Sequence, residues 1–143
     1  PVDAPATTRA RPEDNHDRVA RALHETVAQL RADGRSVIII DTIPEIGWSV
    51  PQALFGARYV GAALPRAPDI TEAEARNRRF RAIVAPLLRD EGVHLVSLAQ
   101  DLCTPECRVE QEGHALYRDD DHLSLWAART YGPRLMDRSF DRH

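Results

Sequence analysis

The chain contains no lysine. Its 19 basic residues are all arginine, set against 22 acidic ones for a net charge of −3. That balance leaves no basic footprint, which argues against a nucleic-acid partner; the missing lysine reads as coding bias more than as chemistry. Long apolar runs are absent too. None approaches the ~20 residues of a membrane span, and no signal peptide opens the sequence. The start, Pro1-Val2-Asp3-Ala4-Pro5, reads as the middle of something longer, so an export signal or anchor is expected outside these residues. No serine sits in Gly-x-Ser-x-Gly, and no internal repeat appears. What remains is a chain of 143 residues, 43% hydrophobic and 29% charged. That composition is ordinary for one globular domain with a real core.

Alternating elements run along the chain. Residues 1–14 are rich in Pro, Ala, Thr and Arg without periodicity and read as a linker or mobile loop, leaving 15–143 as one domain. Over 15–32, Val19, Ala22, Leu23, Val27 and Leu30 recur at helical spacing, and Gly34 is a natural stop. Residues 36–41 form a continuous β-branched run, the signature of a buried, parallel strand. Pro and Gly interrupt 44–68, which is expected to be loop. Thr71 and Glu74 have capping-box spacing for a helix toward Asp90, and Pro86 should bend or split it. A second strand is expected at 93–98 and a last helix from Leu125 to about Met136, with Ser124 as its cap. Helix, strand, helix, strand, helix makes an α/β layered fold.

The chemistry concentrates in Tyr117-Arg118-Asp119-Asp120-Asp121-His122-Leu123-Ser124. A histidine that takes and returns a proton needs a fixed tautomer, and a carboxylate on its other ring nitrogen supplies one. Asp119 and His122 have the spacing that a tight turn closes into such a pair. The bland alternative is a solvated acidic loop. Asp120 and Asp121 either stabilise an imidazolium or point to solvent. Ser124 suits a helix cap better than a nucleophile.

The octet resembles the last conserved block, Asp-x-x-His-Leu-Ser, of SGNH-type esterases and acyltransferases. The nearest likeness is the SGNH domain fused to membrane acyltransferases of the type-three family. The segment Val37-Ile38-Ile39-Ile40-Asp41-Thr42-Ile43-Pro44-Glu45-Ile46-Gly47-Trp48-Ser49-Val50-Pro51 is similar to a strand and Ile-Pro-Glu turn of those domains. The resemblance implies a three-layer α/β/α, flavodoxin-like fold with a parallel sheet, of which the chain would hold the C-terminal part. The family's Gly-Asp-Ser block and oxyanion asparagine have no counterpart, since Asn15 and Asn77 lie in unrelated helical settings. It further implies that Asp119 and His122 serve a serine contributed from a missing N-terminal SGNH segment. The expected function is transfer of an acyl group, commonly acetyl, to a cell-surface glycan on the periplasmic side. A membrane acyltransferase module would deliver the acyl donor, and no cofactor is expected. Ester hydrolysis and a non-catalytic glycan-binding lobe are the alternatives. Trp48, Phe55 or Tyr59 are candidates to line a groove for the acceptor sugar.

Cys103-Thr104-Pro105-Glu106-Cys107 admits three readings: a local disulfide, two reduced thiols, or a metal site completed by His114 and His122. A similar cysteine pair precedes the Asp-x-x-His block in the fused SGNH domains. The resemblance therefore implies a bridge and an oxidising compartment, with no metal.

Overall fold

A computed structural model describes residues 12–140, with side chains described from 15 to 138. The first helix, α1, spans Pro12–Ala32. Most of the expected linker, residues 1–11, lies outside the described residues, and the helix takes up 12–14. Strand β1, Val37–Ile40, pairs in parallel with β2, Val93–Val96, Val37 opposite Val93 and Ile40 opposite Val96. Beyond the strand, the Asp41 N–H still donates to Val96 O at 2.8 Å. The β-branched run at 36–41 and the apolar stretch at 93–98 each supply a short strand, and the connection between them is helical. The architecture is α/β.

Between the strands lies more structure than the proline and glycine content promises. Helix α2, Val50–Phe55, begins with a proline at its first turn, where a fixed φ and a missing N–H cost nothing. It runs into a single π-helical turn, Gly56–Val60, closed by Gly61 at φ 71°. This corrects the expected loop over 44–68: Pro51 starts a helix rather than breaking one. The helix expected to run from Thr71 to Asp90 is divided into α3, Ile70–Arg76, α4, Arg78–Val84, and a 3₁₀ turn, Leu87–Arg89. Its capping box sits two residues earlier than the sequence suggested. Asp69 accepts from Glu72 N at 2.8 Å, and the Glu72 carboxylate accepts from Asp69 N at 2.9 Å. Arg66 also grips Glu72 at 2.6 Å; that contact and the Asp69 N–H hold the Glu72 carboxyl at about 2. Asn77, at φ −84° and ψ 0°, forms the break between α3 and α4, and Pro86 splits α4 from the 3₁₀ turn, as expected.

Helix α5 is Ala99–Leu102, β3 (Glu110–Gln111) and β4 (His114–Ala115) form a small hairpin, and α6 is Leu125–Phe140. Two hydrophobic clusters result. Leu23 and Val27 of α1, Phe80 and Val84 of α4 and one face of the sheet (Val37, Ile39, Val93, Leu95) make the first. Ile46, Val50, Ala73, Leu98, Leu102, Tyr117, Ala127 and Tyr131 are among the buried residues of the second, which gathers around the cysteines. Cys103 and Cys107 are bridged. This decides between the three readings of the pair, since bridged sulfurs are not thiolate ligands. Pro68 O accepts from Cys107 N at 2.8 Å and Pro105 O from Ile70 N at 2.9 Å, tying the bridged loop to the start of α3.

Candidate active site

The stretch from Leu116 to Ser124 is a loop closed at its neck. Ser124 N donates to Leu116 O (2.8 Å) and Arg118 N to His122 O (3.0 Å). Below the neck Tyr117 is fully buried, and burial, with Tyr131 nearby, pushes its hydroxyl well above the usual tyrosine value. Ser124 caps α6 as expected: its Oγ donates to Ala115 O at 2.7 Å and accepts from Ala127 N at 3.1 Å. Its hydroxyl thus both donates and accepts within the cap.

Inside the loop, Asp119 organises the turn. Its Oδ1 accepts from His122 N at 2.8 Å and Asp121 N at 3.1 Å, and its Oδ2 lies 3.0 Å from His122 Nδ1. Desolvation pushes this carboxyl up. The two backbone N–H groups and the imidazole outweigh it, holding Asp119 at about 2. The pair anticipated from the spacing therefore exists as a contact. Asp121 joins it, Oδ1 at 2.7 Å from the same Nδ1, so it is not merely turned to solvent. Asp119, Asp121 and His122 also offer one donor atom each within 4.8 Å of one another, the one grouping among the described residues with the makings of a cation site. Most of the Asp119 acceptor capacity there is already used by the turn.

The loop is held from the far side by the segment leaving β1. Ile46 N donates to Asp120 O at 2.7 Å, and Val50 N to Asp119 O at 3.1 Å. That segment is itself fastened by two arginines. Arg81 Nη2 and Nε reach Asp41 Oδ2 at 2.8 and 3.2 Å; the Asp41 side chain is wholly buried, and its other oxygen accepts from Thr42 N. Arg76 Nη1 donates to Glu45 O at 2.7 Å and lies 3.2 Å from where a Cβ would stand on Gly47. With φ at +86°, that position suits only glycine.

A cavity of about 440 Å³ opens beside His122, lined also by Ile40, Asp41, Thr42, Ile43, Glu45, Asn77 and Asp121. It lies at the carboxyl ends of the parallel strands, where open α/β sheets hold their ligands. Asn77 and Asp41 were missed by the sequence reading. Asn77 looked like an interior helix residue, and only its role as a helix break signals otherwise. Trp48 does not reach this cavity or the neighbouring groove; it packs against the second core and donates from Nε1 to Arg66 O at 3.2 Å.

The family model of the SGNH domain fused to AT3 domains matches residues 2–137. The chain belongs to that family. No curated protein and no solved structure gives a comparable match. Membership accounts for the α/β fold and places this SGNH domain in acyltransferase and esterase chemistry. The disulfide of the SGNH domain fits an oxidising, extracytoplasmic setting. Among the described residues no helix is long and apolar enough to cross a membrane.

Proposed function

We propose that this SGNH domain supplies the acid–base half of an acyl-transfer site that moves an acyl group, commonly acetyl, onto a cell-surface glycan. The observation that carries the reading is the 3.0 Å contact between Asp119 Oδ2 and His122 Nδ1. It commits Nδ1 to the carboxylate and leaves Nε2 as the base, which acyl transfer through a serine requires near neutral pH. Among the described residues no serine lines the cavity beside His122, and Thr42 carries the one hydroxyl side chain there. The reacting serine is therefore assigned to an SGNH segment outside this chain. The acyl donor would come from a membrane acyltransferase module, with the domain tethered on the periplasmic side. Hydrolysis differs only in whether water or sugar meets the acyl-enzyme. The absence of a serine beside His122 favours a second reading, a glycan-binding lobe without chemistry.

Nitrogen-15 NMR of the imidazole tests the pair directly. In the wild-type chain the Nδ1-protonated tautomer is expected for the neutral ring, and replacing both Asp119 and Asp121 by alanine should redistribute it toward Nε2. A wild-type ring already protonated on Nε2 sinks the reading. The isolated chain should also fail to react stoichiometrically with a fluorophosphonate probe. Labelling at Thr42 or at any serine would show that the nucleophile is within it.

A further inference from the structure

A second concavity, of about 250 Å³, lies between α2, the π-helical turn and the β3–β4 hairpin. Two aromatic rings stand over it almost free of neighbours: Phe55 is 61% and Tyr59 70% exposed, their centroids 4.9 Å apart and their planes tilted by 41°. Exposed large rings in contact with one another are not a feature that folding requires. Beside them Arg58 Nη2 lies 3.3 Å from both Glu110 carboxylate oxygens. Pro51, Leu54 and Ala115 add apolar surface.

We propose that this groove holds a pyranose ring of a neutral glycan, stacked on Tyr59 and Phe55 with its hydroxyls bonded by Arg58 and Glu110. The aromatic face is electron-rich and complements the C–H face of a sugar. A guanidinium and a carboxylate side by side present several donors next to several acceptors, which vicinal hydroxyls satisfy in both directions. Charge decides against the main competitors. Residues 46–68 contain no acid, and two arginines would suit an anionic lipid surface if they stood unpaired. Yet both arginines of that stretch are neutralised, Arg58 by Glu110 and Arg66 by Glu72. The groove presents paired charge and suits an uncharged polyol.

The groove also joins the supports of the Asp119–His122 loop. Pro51 follows Val50, whose N–H donates to Asp119 O, and Ala115 O accepts from Ser124 Oγ. From Val50 to Phe55 is about 7.5 Å along the helix axis. The assignment rests on the acyl-transfer reading for its ligand class and adds where the acceptor is held.

The test is aromatic ¹H–¹³C NMR of the chain titrated with maltotriose, cellotriose and triacetylchitotriose. At least one should shift the Tyr59 and Phe55 ring signals. Tyr59→Ala should weaken that binding at least tenfold, and Tyr59→Phe, which keeps the face, should restore it. No ring shift with any of the three overturns the proposal, as does equal binding by Tyr59→Ala. Ring perturbation by phosphatidylglycerol vesicles alone also overturns it, in favour of a membrane contact. None of these outcomes touches the imidazole tautomer, so a failed groove and a failed acid–base pair are told apart.

Discussion

The half of the chain built on the sheet and the half built on loops are stabilised by opposite means. In the sheet half, α1 and α4 cover one face, while Ile40 on the other face stays 54% exposed. Two parallel strands leave unpaired edges among the described residues. A buried carboxylate, Asp41, paired with the half-buried Arg81, fastens its carboxyl end. The loop half has almost no regular sheet, yet it holds the larger core and closes on itself through a disulfide and a hydrogen-bonded neck. The cavity beside His122 is the seam between them, with Ile40 and Asp41 on one side and Asp121 and His122 on the other. His122 is thus held firmly from the loop half, and the wall facing it belongs to the more open half.

The sharpest way to break this contrast is Arg81→Met. It leaves the Asp41 carboxylate buried without its partner, and the expected loss is roughly 3–5 kcal/mol in urea denaturation. Amide exchange should rise first in β1, β2 and residues 42–46, ahead of Leu116 and Ser124. Simultaneous loss everywhere would make the two halves one cooperative unit. Replacing both Cys103 and Cys107 by serine tests the other side. A bridge closing so short a loop contributes about 2 kcal/mol. Its removal should loosen the start of α3, where Ile70 N meets Pro105 O, and leave the sheet's exchange unchanged. The smallest effect is local and acid-dependent. Asp119 is held at about 2 against an ordinary 3.8. A depressed carboxyl stabilises above its ordinary value and loses that contribution as the pH falls toward the folded value. The Asp119 carboxyl carbon-13 signal should therefore report protonation only between about pH 4 and 2. A midpoint at the ordinary 3.8 would remove the turn's hold on that carboxylate.

What was legible in the residues divides along the same line. The β-branched run at 36–41 and the apolar stretch at 93–98 announced two strands because a strand buried on a sheet face shows its pattern locally. Asp119 with His122, and Ser124 as a cap, were legible because each contact closes within three residues. Asp41, Thr42 and Asn77 were not, since they reach His122 only through tertiary packing, from 45 to 81 positions away in sequence. Helix α2 was hidden for another reason: proline reads as a breaker until its place in the first turn is known. Asp69 was overlooked as a cap because Thr71 offered the same spacing two residues later. Membership in the SGNH family rested on combined motifs, and the match over residues 2–137 bears it out.

The hydrogen bond from Trp48 Nε1 to Arg66 O fastens both ends of the excursion that carries Phe55 and Tyr59. A segment pinned at its base behaves as an exchangeable cassette, in which even doubling a loop's length costs only about 0.6 kcal/mol of closure entropy. Residues beyond Phe55 can then change or lengthen while the turn of Asp119 and His122 keeps its geometry.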